Sequence, residues 1–365
     1  MANIGRRDTS FLVMLTGWDA IELKNFDLEN GTSYAQLVGR FNAALGALNG
    51  EFASDWMTGL YSVTDQLETE YRVGSSNGFE LHTEYGLPDV QRADTGGHML
   101  PLIAYDRMMG WTWDFLKRAR ETQIEADFAD AIKDARTRRR VSILTRILKR
   151  TDDTTVASGL GATGISPGFA TDAGTTGCDF VPPSNAGSVF DSTHEHYVGI
   201  TGGVFTNAVF TDVYDELREH GHEPPFDFLC PTADRAEIEA LSDFTPVGTA
   251  LIRLGTTQDV ALVGSEYFGV MGANIQLREV RGVPAGYGFG YKSYGRLSSR
   301  NPLRIRVPKG KTAIQVVART NPNQVANSPL QNLMLELEFG VGVADRTNGT
   351  PRYMDSETWA AGTAT

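Results

Sequence analysis

The chain has 365 residues, a formal net charge of −12, 21% charged residues, 39 glycines, 6 histidines and 2 cysteines. That length buries a sizeable core in about two or three compact units, and the acidic balance disfavours nonspecific nucleic-acid binding by the whole surface, though not by a local basic patch. Cys178 and Cys230 form no CxxC pair, which excludes a disulfide framework or a cysteine-built zinc site, and no apolar run approaches the roughly 18 residues of a membrane span.

The stretch MANIGRRDTSFLVML carries no apolar h-region with a cleavage site, so a soluble protein made in a reducing cytoplasm is expected. Residues 1–32 show no clear period and read as an irregular arm. A helix follows: Ser33 can cap it, and Tyr34, Leu37, Val38, Phe41, Ala44, Leu45 and Leu48 recur at helical spacing. Over 66–85 the period changes to two. Leu67, Thr69, Tyr71 and Val73 alternate with Glu68, Glu70 and Arg72; after a GSSNG turn, Phe79, Leu81, Thr83 and Tyr85 alternate with Glu80, His82 and Glu84. This predicts a hairpin with one apolar and one charged face. Such a hairpin is marginal alone in water, so it needs this chain's core or a neighbouring subunit to rest on. The polar flanks TDQ and LPDVQRADTGGH favour an arm that projects to a neighbour.

Residues 114–150 predict a long helix, with Ile124, Phe128, Ile132, Ala135, Ile143 and Ile147 as its apolar stripe. Its charge is segregated: five acids stand against Lys133 in 121–134, whereas 136–150 hold seven bases and no acid. Acids early and bases late suit the helix macrodipole. The ARTRRR run reads mainly as a face for acids, with nonspecific DNA contact the lesser use.

Residues 151–190 contain no Lys or Arg but seven Gly, seven Thr and three Pro. Gly159-x-Gly161-x-x-Gly164 has the spacing of a dinucleotide fingerprint, yet TDDTTVA is a poor strand before it and Pro167-Gly168 disfavours the helix required after it. These glycines belong to a long loop. From about 195, EHYVGITGG, TNAVFTDVYDELREHG, PFDFLCP, TADRAEIEALSDF and YGFGYKSYG alternate strand and helix signals, predicting a compact mixed α/β unit. PLRIRVPKGKTAIQVVART predicts a second hairpin, in which Leu303, Ile305 and Val307 alternate with Arg304 and Arg306. LQNLMLELEFGVGV then closes the chain as a long strand before a polar tail.

Enzyme chemistry finds no foothold. His194-Glu195-His196 and His220-Gly221-His222 each offer two ligands, but no spacing marks a third and HExxH is absent, so both read as incidental surface histidines. No GxSxG elbow or cysteine nucleophile signature occurs, and Gly310-Lys311-Thr312 has Ile305 where a phosphate loop needs its first glycine. No catalytic residue, metal or cofactor is expected.

In order and character the chain resembles the major capsid protein of tailed double-stranded DNA bacteriophages, a fold shared with encapsulin shells and the herpesvirus capsid floor. GATGISPGF resembles that family's glycine-rich stretch after the long helix. PFDFLCPTADRAEIEAL resembles the strand and helix of its axial domain, and RGVPAGYGFGYKSYGRLSSRNPLRIRV the passage back to the peripheral one.

The resemblance implies an α+β fold. Residues 1–50 would be N-terminal arm and helix, 60–98 an extended β-hairpin loop over an adjacent subunit, and 99–195 a peripheral domain with spine helix 114–150. The axial domain would be 196–285, the return strands 286–345 and a C-terminal tail 346–365. It implies a non-enzymatic subunit that assembles into pentamers and hexamers of an icosahedral capsid around double-stranded DNA. Its partners would be copies of itself, scaffolding, portal and decoration proteins and nonspecifically held DNA, with no membrane, in a virion assembled in the host bacterial cytoplasm. Inter-subunit contacts would fall on Leu67, Tyr71, Val73, Phe79, Leu81 and Tyr85. The basic run Arg136, Arg138, Arg139, Arg140 and Arg146 would meet neighbour acids or DNA. An encapsulin-like nanocompartment is the alternative within the fold, and a mixed α/β enzyme the alternative outside it. Some relatives crosslink through a lysine of the extended loop; residues 60–98 hold none, so noncovalent overlap is expected.

Overall fold

The computed structural model describes residues 34–66, 68–73, 94–112, 115, 118–150, 168–169, 196–200, 202–246, 267–272, 274–319 and 330–356. In chain order the elements are α1 (Tyr34–Ser54), β1 (Tyr61–Thr64), β2 (Glu68–Val73), β3 (Asp94–Met99), β4 (Ile103–Thr112) and α2 (Glu121–Leu148). Then come β5 (Val198–Gly199), α3 (Asn207–Glu219), β6 (Phe226–Cys230), α4 (Arg235–Glu239), β7 (Phe244–Pro246), β8 (Tyr267–Met271) and β9 (Ile275–Glu279). β10 (Tyr287–Tyr291), β11 (Leu303–Arg306), β12 (Val316–Arg319), β13 (Leu330–Val343) and β14 (Thr350–Tyr353) complete the chain. No helix among the described residues is long and apolar enough to cross a membrane. The elements form two compact units, one from 1–55, 103–139 and 311–339, the other from 56–102, 140–310 and 340–365.

In the first unit, β13 pairs antiparallel with β4 from Leu330↔Thr112 to Phe339↔Ile103, and with β12 from Val316↔Leu337 to Arg319↔Met334. Opposite residues share a face, so Tyr105, Met109 and Trp111 lie with Leu333, Leu335, Leu337 and Phe339, most of them buried. The helices cover this face. α1 buries Leu37, Phe41, Leu45, Leu48 and Phe52, a 3.6-period stripe, and Asn49 bonds both the N–H (2.8 Å) and the carbonyl (3.1 Å) of Val316. α2 stacks Phe128 on Phe41 at 4.1 Å, and its Asp127 accepts from Trp111 Nε1 at 3.0 Å. Phe115 and Arg118 are also helical, but Ala119 and Arg120 interrupt the run and α2 proper begins at 121, where Gln123 Oε1 accepts from the Arg120 N–H at 3.2 Å, half of a capping box.

The second unit is built on a seven-stranded mixed sheet in the order β5-β14-β10-β6-β9-β8-β7. Central β6 is buried at every residue, and Phe205 ahead of α3, with Val209, Phe210, Val213 and Leu217 on it, packs against Phe226, Phe228, Ile275 and Leu277. The alternation Tyr-Gly-Phe-Gly-Tyr in β10 follows from this packing: a Cβ on Gly288 would overlap the Phe228 ring, and one on Gly290 would overlap Val213. β11 pairs parallel with β1 and antiparallel with the last residues of β13.

Three sequence expectations change. The strand at 68–73 forms, but its described partner is β3, from Glu68↔Met99 to Val73↔Asp94, within what reads as polar flank; residues 79–85 lie outside the described residues. β11 and β12 each pair with a different stretch of β13 and not with each other, since fourteen-residue β13 offers both an edge. The polar segment expected as a tail from 346 is instead buried as far as Met354, with β14 between β5 and β10. Asn348 tolerates burial because it is bonded: it holds the Lys292 N–H (2.7 Å), the Lys292 carbonyl (2.9 Å) and the Arg300 carbonyl (3.1 Å).

Candidate subunit interface

The basic run of α2 is largely occupied within the chain. Arg139 is buried and sets its fork on Asp55 at 2.5 and 2.9 Å, with its guanidinium 4.6 Å from the Phe52 ring centroid. Arg136 grips Glu51 through Nε (3.0 Å) and Nη2 (2.6 Å). Arg138 lies 4.2 Å over the Tyr105 ring, a cation–π contact that leaves its head exposed. In the second unit Arg146 is buried and donates to the Lys149 carbonyl at 2.8 Å, and Arg140 is half-buried. Burial removes Arg139 and Arg146 from any DNA or neighbour surface, a correction to the reading of the run as an outward face. The signal was present in sequence: Glu51 and Asp55, four residues apart at the end of α1, match Arg136 and Arg139, three apart on α2.

The first unit also carries surface suited to a partner. Small Ala131 and Ala135, one turn apart on α2, leave a crevice of about 590 Å³ over Tyr105, Val316, Leu335 and Leu337. Its rim is charged: Arg107 pairs with Asp134, and Arg138 and Asp106 stand beside them. On the opposite sheet face Met108 is 58% exposed and Val317 36%. Met108 sits across from Met334, in a surface that also holds the Arg319–Glu336 pair. Exposed apolar side chains rimmed by charge are characteristic of association surfaces.

Of the expected loop contacts, Tyr71 and Val73 lie on β2 opposite Gly96 and Asp94. Leu67, Phe79, Leu81 and Tyr85 lie outside the described residues, as do the glycines of the fingerprint spacing. The end of that glycine-rich stretch is described: Phe169 is buried 5.2 Å from the Phe289 ring and against Gly349.

The histidines expected at the surface are buried: His196, His220 and His222 are 0%, 5% and 2% exposed. Among the described residues no group of three or more His, Cys, Asp or Glu is arranged to hold a metal ion. A second buried cluster is structural. Tyr267 donates its hydroxyl to Asp227, and Arg278 stacks 4.1 Å from the Tyr267 ring and 4.7 Å from the Trp56 ring. Burial raises the Asp227 carboxyl above its ordinary range, against the pull of that hydroxyl and of Arg278.

No protein-family model matches the chain, and no curated protein is detectably similar to it in sequence. Among solved structures it is similar to one from Mycobacterium phage Patience, with 19% identity and a TM-score of 0.63 over 92% of this chain and 95% of that one. It also aligns with the asymmetric unit of the bacteriophage PhiM1 mature capsid, at 10% identity and a TM-score of 0.49 over 82% and 87% of the two chains. The capsid of Myoviridae phage XM1 aligns at 10% identity and a TM-score of 0.43 over 82% and 91%. The mycobacteriophage likeness runs through nearly the whole of both chains. The chain thus shares its α+β fold with a structure from a phage source, Mycobacterium phage Patience.

Proposed function

We propose that this chain is the repeating structural subunit of an icosahedral phage shell, assembling with copies of itself as pentamers and hexamers around double-stranded DNA. The observation that carries this reading is a fold likeness to a phage structure over 92% of the chain. In this reading α2 is the spine of the peripheral domain, the seven-stranded sheet belongs to the axial domain, and 60–98, with β2 and β3, is the loop that overlaps an adjacent copy. The chain does no chemistry. Its work is to bury heterologous surfaces that close into rings, each modest alone and held by avidity across the lattice. The crevice beside Ala131 and Ala135 and the Met108–Met334 face are the surfaces assigned to a neighbouring copy. Scaffolding, portal and decoration proteins are the expected further partners.

Light scattering and negative-stain microscopy of the expressed chain, alone and with a scaffold, test the reading. Megadalton hollow particles or rings of five and six are expected; a clean dimer or tetramer indifferent to concentration and scaffold overturns it. Tyr71→Asp tests the loop separately: a folded subunit that does not assemble is expected, and normal particles would refute the loop assignment.

A further inference from the structure

We propose that the buried histidines of the second unit form an acid-sensitive lock on segment 345–354. Asp345, Arg346, Thr347, Asn348, Thr350 and Arg352 are each 3% exposed or less, so their burial depends on the bonds they make. His222 bridges to this segment, with Nδ1 2.8 Å from the Tyr294 hydroxyl and Nε2 3.1 Å from Thr347 Oγ1. Thr347 Oγ1 lies 2.6 Å from Asp345 Oδ1. A carboxylate accepts, so the threonine hydroxyl donates to it and must itself accept from His222 Nε2–H. In neutral imidazole Nδ1 is then left to accept from the Tyr294 hydroxyl; imidazolium keeps Nε2–H on Thr347 and requires that hydroxyl to turn and accept.

The second contact obeys the same logic. His196 Nδ1 is 2.7 Å from the Gly349 carbonyl and must donate, so its Nε2 accepts from His220 Nε2, 2.9 Å away. Glu216 faces this pair from α3, with Oε1 3.9 Å from His196 Nε2. Its other oxygen accepts from Thr350 (2.6 Å) and Arg352. One proton can enter the pair by a switch of tautomer. A second sets two Nε2–H groups against each other.

A proton entering His222 must take Nδ1. It reverses the Tyr294 hydroxyl and buries a positive charge near His220 in the same turn after α3, Lys292 beyond β10 and Arg300 before β11, opposed by a hydrogen bond to the Thr347 backbone, with Asp345 one bond further off behind Thr347. Burial foremost, then His220 and Arg300, holds the imidazole down to about 4. A released segment restores the ordinary affinity of 6.5, so falling pH between these values drives release and rising pH restores the lock.

Hydrogen exchange of the purified full chain from pH 7 to 4, corrected for intrinsic rates, tests this. The expected result is loss of protection at 345–354 by roughly tenfold per pH unit below about 6.5 for one linked proton, while β6 stays protected. His222→Gln, which keeps an amide donor but cannot titrate, is expected to flatten that slope by one proton. Equal protection at pH 7 and 4, or the same slope in the variant, overturns the lock. So does loss of 345–354 and β6 in one step. If the variant does not fold, the native chain's exchange profile alone decides.

Discussion

Arg139 and Arg136 separate a buried charge pair from an exposed one on the same helix. Arg139 has 3% of its side chain exposed and Asp55 20%, so Asp55→Ala strands a guanidinium that cannot rehydrate. The expected loss is about 3 kcal/mol, the lower end for a broken buried pair. Glu51→Ala removes a partner that is 43% exposed from an arginine that is 50% exposed, and should cost about 0–1 kcal/mol. Denaturant titration of both variants checks the contrast; equal losses would mean that Arg139 is not held as described. His222 supplies the pH dependence. Its native value lies below its unfolded one, so the unfolded chain binds the extra proton between pH 6.5 and about 4. Stability is therefore full above that window, falls by about 3 kcal/mol as pH drops through it, and levels off below. Residue identity alone made the histidines look like surface groups, because their burial depends on acceptors and donors more than a hundred positions away, such as Gly349 and Thr347.

At the scale of elements, period and composition located most strands and helices, but not their partners. Alternation over Glu68–Val73 announces a strand, yet carries no information on whether Phe79–Tyr85 or Asp94–Met99 lies beside it. The same limit separated β11 from β12. The segment 346–354 escaped for a different reason: its polar residues follow the composition of a solvated tail, and only a preformed set of bonding partners makes them core. β10 shows the reverse case, where a pattern is legible once its neighbour is known. Its glycines admit the Phe228 ring and Val213, so Gly288→Ala should cost roughly 1–3 kcal/mol by overpacking, read from thermal unfolding. An unchanged midpoint would show that the β10–Phe228 approach is looser than described.

For the whole molecule, the order of elements was the most legible property, because it survives where individual residues do not: 19% identity accompanies a likeness over 92% of the chain. What the proposed assembly requires beyond the fold is surface that a monomer has no use for, and the crevice over Leu335 and Leu337 is the surface proposed for it. Ala135 lines it from α2 and is half-buried in the subunit. Ala135→Trp would fill the space from within and extend over the sheet, burying apolar area in place of a neighbour's side chains. Subunit stability should therefore change by less than about 1 kcal/mol, or rise. Assembly should need roughly tenfold more protein, since losing about 1.4 kcal/mol of contact per interface shifts each association tenfold and the lattice multiplies it. Thermal melts together with light-scattering assembly curves read the two quantities separately. A variant that assembles at the native concentration would remove the crevice from the interface and leave the Met108–Met334 face as the surface to mutate next.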